Sequence, residues 1–155
     1  MIKKTPFTQQ GFDNLVAERS SLKVARIMAV ANLKQARDMG DLSENAAYKV
    51  ARSKLSSVDR RLRFLDRVLD NAYVIQPIFN GIVDIGCYVT VVSKFGEQKF
   101  QIVNSQESDV VAGKLSYFSP VGSALMGKKV NHSILIKTPK GMVEYKITNI
   151  SLNLK

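Results

Sequence analysis

Between Tyr48 and Leu69 the apolar side chains fall at Tyr48, Ala51, Leu55, Val58, Leu62, Leu65 and Leu69, with gaps that alternate between three and four residues without a slip. This is the period of one helical face packed along another helix, and it runs for three heptads. A weaker version precedes it at Phe12, Leu15, Leu22, Ala29, Leu33 and Ala36, where Arg19 and Arg26 take two of the expected apolar positions. Packing around those two arginines is therefore expected to be looser or rotated. No proline interrupts either arm, and only the residues around GDLSEN at 40–45 join them. A connection that short forces the arms to run antiparallel. Gly40 suits the end of the first helix. Arms of roughly thirty residues make a rod on the order of 45 Å long, with GDLSEN at its far tip.

After Pro77 the period changes. DIGCYVTVVS, QKFQIVN, KLSYFS, SILIKT and MVEYKITNI are short, rich in β-formers and separated by turn residues, and TPKG between the last two reads as a hairpin connection. One short helix interrupts them: Ser119 can cap it, Pro120 suits its first turn and Gly127 ends it. The fold class is α+β. An antiparallel two-helix coiled coil over residues 1–75 is followed by a compact antiparallel β domain with one short helix over residues 76–155.

Among 155 residues, 23 are Lys or Arg and 13 are Asp or Glu, a formal net charge of +10. That balance favours a polyanionic neighbour such as nucleic acid. Apolar content of 45% supports a real core, and no apolar run approaches a membrane span. No secretory signal follows MIKKTPF. Cys87 stands alone in IGCYVTVV and reads as a buried strand residue. These features describe a soluble protein of a reducing compartment. His132, the sole histidine, reads as a loop residue.

The tip admits two readings. Asp41-Leu-Ser-Glu44 matches a capping box with Asp as the cap, and acidic residues favour a helix N-terminus. Alternatively, Asp41 and Glu44 project two carboxylates beyond the rod and share a divalent cation with another site. Mg²⁺ suits that arrangement, because it commonly takes one or two protein carboxylates and completes its shell with water and phosphate.

QARDMGDLSENAAYKVAR, the helical rod and a β domain containing SPVGSALMGKK together resemble the bacterial Gre transcript cleavage factors over essentially the whole chain. Ala36, Arg37, Gly40, Asp41, Leu42, Glu44, Asn45, Ala46 and Tyr48 all match that family's tip pattern, while Ser123 stands where the family usually has arginine. The resemblance implies an FKBP-like C-terminal domain that docks on bacterial RNA polymerase through Ser119 and Pro120. It implies a rod that enters the secondary channel, where Asp41 and Glu44 help hold a second Mg²⁺ for cleavage of a backtracked RNA 3′ end. The chain would then be a cytoplasmic monomer that supplies ligands to another enzyme's site and is no enzyme alone. The rival reading is a non-cleaving regulator that occupies the same channel.

The rod's cations are read in two ways as well. Arg19, Lys23, Arg26, Lys34 and Arg37 recur at three- and four-residue intervals or their multiples along one broad face. They are either a solvated surface or, for Arg37, Arg26 and Arg19, contacts to RNA phosphates, which are non-specific and salt-sensitive.

Overall fold

The computed structural model describes residues 4–41 and 44–153. Its elements, in chain order, are β1 (Thr5–Phe7), α1 (Gln9–Asp38), α2 (Ala46–Asp70), β2 (Ala72–Val74), β3 (Tyr88–Ser93), β4 (Gly96–Val103), β5 (Lys114–Ser116), α3 (Pro120–Leu125), β6 (Ser133–Thr138) and β7 (Gly141–Ser151). Two compact units result. One is Phe12–Ala72, and the other is Lys4–Gly11 with the chain from Tyr73 onward. The sequence boundary at 75/76 leaves residues 4–11 with the rod, whereas here they group with the β unit. The reason is local: β1 pairs with β2, and the Ile75 amide donates to the Phe7 carbonyl.

In the helical unit every position of the α2 seam is buried or half-buried, with Leu62 and Leu65 most enclosed. On α1, Leu15, Ala29 and Ala36 are buried, and Phe12, Leu22 and Leu33 are half-buried. The antiparallel sense is visible in the ion pairs. Arg19 Nη1 lies 3.5 Å from Asp66 Oδ1, and Arg26 Nε lies 2.6 Å from Asp59 Oδ1. One heptad up α1 thus meets one heptad down α2. The two arginines keep the seam's spacing by turning their guanidiniums to carboxylates on α2 while their stems lie along the helix. Arg61 grips Glu18 in bidentate fashion, Nε to Oε1 at 2.6 Å and Nη2 to Oε2 at 2.9 Å. That hydrogen-bonded partner holds the Arg61 guanidinium above its ordinary pKa. Exposed pairs of this kind contribute only about 0–1 kcal/mol each, so they set register more than stability.

In the other unit a five-stranded sheet has the order β5-β4-β3-β7-β6. The β3–β4, β3–β7 and β6–β7 pairs are antiparallel. The TPKG hairpin stands as read, with Thr138 opposite Gly141. The expectation of a wholly antiparallel sheet needs correction: β5 runs parallel to β4. Residues 104–113 reverse the chain twice before it re-enters the sheet. They are shaped by Asn104 Oδ1 accepting the Gln106 amide at 3.0 Å and Asp109 Oδ1 accepting the Val111 and Ala112 amides. The core lies on one face of the sheet under α3, built from Val89, Val91, Ile102, Leu125, Ile134 and Ile147 among others.

The same loop caps α1. Thr8 Oγ1 accepts the Gly11 amide at 3.0 Å, and the Glu107 carboxylate accepts both the Thr8 amide, at 3.0 Å, and the Thr8 hydroxyl. In a local capping box the glutamate stands three residues after the cap. Here that position is Gly11, and a Cβ on it would lie 2.0 Å from Glu107 Oε2. Glu107 supplies the same function from a distant loop.

Two expectations follow from this packing. A Cβ on Gly122 would meet the Ser116 carbonyl oxygen at 2.1 Å. Gly122→Ala therefore pushes α3 away from β5 and costs about 1–3 kcal/mol, read as a lower urea midpoint. Burial pushes the Cys87 thiol up, against an opposing backbone hydrogen bond with Asp84. The neutral thiol is the form the fold prefers. Its contribution to stability is complete below the ordinary thiol range and is lost as pH rises through the raised value. Iodoacetamide should label Cys87 slowly in native protein at pH 8 and readily in urea, and urea stability should decline at higher pH. Cys87→Ala should remove that decline.

Candidate functional site

The turn between the two helices is built by one side chain. Asn45 Oδ1 accepts the Tyr48 amide at 3.0 Å, which caps α2, and Asn45 Nδ2 donates to the Ala36 carbonyl at 2.7 Å, near the end of α1. The N-cap of α2 is therefore Asn45, not the Asp41 of the capping-box reading. The displacement has a physical reason. From position 45 the amide side chain can accept from the second helix and donate to the first, whereas a carboxylate can only accept. Gly40, with φ of +133°, turns the chain out of α1 where a side chain would be strained.

Asp41 and Glu44, neither of them the N-cap of α2, are both exposed between the two helices. Glu44 makes no hydrogen bond or ion pair among the described residues, whereas Asp41 is engaged in an interaction. Leu42 and Ser43, which belong to the same motif, lie outside the described residues. No group of three or more His, Cys, Asp or Glu side chains able to hold a metal occurs among the described residues. Two exposed carboxylates do fit Mg²⁺ as a partial ligand set, provided phosphate and water or a second macromolecule supplies the rest.

The remaining candidates are dispersed. Arg37 is exposed in the last turn of α1 and has no ion pair among the described residues. Arg26 and Arg19 sit about 18 Å and 28 Å back along α1 from its end, each facing its carboxylate on α2. In the β unit, Ser119 Oγ accepts the Gly122 amide at 3.0 Å and caps α3, and Pro120 occupies the first turn and is exposed, as the sequence reading expects. Ser123, the departure from the family pattern, is exposed and donates to the Pro120 carbonyl. His132 is an exposed loop residue whose Nδ1 accepts the Lys129 amide at 3.3 Å.

The double role of Asn45 was missed in the sequence. Its signal was present, since asparagine is among the best N-caps and Ala46-Ala47-Tyr48 follows it directly. Asn45→Ala should lower the stability of the helical unit by roughly 1–2 kcal/mol, combining a lost cap and a lost cross-turn hydrogen bond. Asp41→Asn and Glu44→Gln should leave the melting midpoint unchanged. Thermal melts followed by circular dichroism at 222 nm check both.

Comparison with known proteins meets this geometry from another side. The family model described as Transcription elongation factor, N-terminal, matches residues 5–74, and the one described as Transcription elongation factor, GreA/GreB, C-term, matches residues 79–152. Transcription elongation factor GreA of Thermosipho africanus is 37% identical over 148 residues, covering 94% of this chain and 95% of that protein. The protein of the same description from Rhodospirillum rubrum is 40% identical over 154 residues, covering 96% and 98%. Among solved structures, GreA factor homolog 1 (Gfh1) of Thermus thermophilus is similar with a TM-score of 0.47 at 21% identity, covering 96% of this chain and 99% of that one. With both halves matched in order and nearly the full length shared at such identity, the chain belongs to the GreA/GreB family of transcription elongation factors.

Proposed function

We propose that this protein acts on bacterial RNA polymerase as a transcript cleavage factor, inserting its helical rod into the secondary channel and helping the polymerase cut a backtracked RNA. The observation that carries this reading is the tip. Asp41 and Glu44 stand exposed between the helices, and the N-cap of α2 is Asn45. Family membership supplies the partner.

In this reading the two carboxylates are ligands offered to another active site. They complete the coordination of a second Mg²⁺ that the polymerase holds too weakly by itself. When bound there, that ion stabilises charge on the attacking and leaving oxygens of the phosphodiester. Asn45 bridges the end of α1 and the start of α2, the two helix ends that carry the acids, which lowers the entropy lost on delivery. Arg37, in the last turn of α1 and without an ion pair among the described residues, holds a phosphate of the extruded RNA. Arg26 and Arg19 contribute less, since each already faces a carboxylate. Ser119 and Pro120 on α3 anchor the β unit to the polymerase. The protein turns over no substrate without its partner.

The test is fragment release from a stalled, backtracked elongation complex across a Mg²⁺ titration. Asp41→Asn and Glu44→Gln should each cut the rate by at least the roughly 10–100-fold that losing an outer partner of a metal site costs. Binding to polymerase should be retained, and high Mg²⁺ should restore part of the loss. Arg37→Ala should weaken crosslinking to the RNA 3′ end and flatten its salt dependence. Near-normal cleavage by both acid variants would sink the metal-donor reading in favour of a regulator that only occupies the channel.

A further inference from the structure

The outward side of α1 is not what a solvated helix face should be. Val24, Ile27 and Met28 are 64%, 69% and 61% exposed, and with Ala31 they recur at the i, i+3, i+4, i+7 spacing of a single apolar stripe. The seam that faces α2 runs through Leu22, Ala29 and Ala36, so the stripe lies on the opposite side of the helix and packs on nothing within the helical unit. By the same spacing Met28 leads to Asn32 and Gln35, which line an apolar groove of about 560 Å³ near the tip, with exposed Met39 and Val50 at its sides. The groove is walled by the seam residues Ala29 and Ala36 and lies on the side toward α2; the stripe is a second apolar surface, on the outward side of the distal half of α1. Surfaces of this size on a soluble domain mark contact sites.

The charge around the stripe selects its occupant. Residues 19–37 contain five cations and no carboxylate. Arg19 and Arg26 are turned to α2, whereas Lys23 and Lys34 flank the stripe and make no ion pair among the described residues. An i, i+3, i+4, i+7 set of anchors is the pattern by which one helix lays its apolar face on another. A second copy of this chain would bring the same lysines against each other, a juxtaposition that costs several kcal/mol. We infer that this face of α1 docks an acidic amphipathic helix of the polymerase, gripping the rod along its side as well as at its base. The inference rests on the function proposed above for the partner's identity. It is independent of the metal chemistry at the tip.

The experiment uses the full-length chain and bacterial core RNA polymerase as the probe. Val24→Gln, Ile27→Gln and Met28→Gln are combined in one variant, since glutamine is a good helix former and these exposed side chains hold nothing together within the unit. Circular dichroism and the melting midpoint should match wild type, while the dissociation constant for polymerase rises about tenfold or more. Lys23→Glu with Lys34→Glu should weaken binding and reduce its dependence on salt. A photoreactive residue at position 27 should crosslink to a helical segment of the polymerase rich in Asp and Glu. Wild-type affinity in the glutamine variant would overturn the inference, as would a crosslink that maps to RNA or to a basic surface. Sedimentation of wild type as a dimer that the variant dissociates would make a second copy the occupant, and that too would overturn it. Failure of the wild-type chain to bind polymerase at all would remove the proposed function itself, and the acidic helix with it. Intact affinity with intact cleavage in the variant would remove only the side contact.

Discussion

One amide side chain determines where the rod ends. Asn45 accepts from the helix that follows and donates to the helix that precedes, within 3.0 Å on both sides. No carboxylate could do both, and no apolar residue could do either. That pair of hydrogen bonds ties the end of α1 to the start of α2, and Asp41 and Glu44 lie exposed between them. The turn thus separates two demands that usually compete in a helix N-terminus, capping the backbone and offering charge outward.

Along the rod the energetics are distributed unevenly. Near the base, Leu15, Leu62 and Leu65 are buried. Toward the tip the inward positions become Ala29 and Ala36, which bring the helices together without filling much volume. The α1–α2 ion pairs lie between these regions, where arginine replaces leucine at the seam. They are too exposed to stabilise much, but a shift by one turn would leave Arg26 opposite neutral or basic side chains of α2. Register is therefore specified by charge where apolar packing is weakest.

The parts of this fold that were legible in the sequence are those governed by short-range periodicity. The α2 heptads, the TPKG hairpin and the Ser119–Pro120 helix start each depend on residues within a few positions of one another, and each appears as read. What was not legible depends on distant partners. The pairing of β1 with β2 and the parallel placement of β5 have no local signature, because the residues that decide them are far apart in the chain. Glu107 is an extreme case: ninety-nine positions separate it from the Thr8 it completes. At the tip the acids were visible from their spacing, but the choice of Asn45 as the cap of α2 was not. That depended on which of two neighbouring good caps, Asp41 or Asn45, could also reach back to α1. The apolar stripe was hidden for a different reason, since valine, isoleucine and methionine in a helix read as core until burial says otherwise.

Grouping Lys4–Gly11 with the chain from Tyr73 onward makes the β unit discontinuous, with the helical hairpin inserted between its first strand and the rest. On the ribosome the opening strand emerges first and must wait through the synthesis of both helices for its partners. The hairpin, a compact unit of its own over Phe12–Ala72, can close while the β unit is still incomplete. Thr8 receives Glu107 only once the loop beyond β4 has left the exit tunnel. The cap on the first turn of the first helix is thus completed only after β4 has been made, and Thr8 reports that the loop beyond that strand is in place.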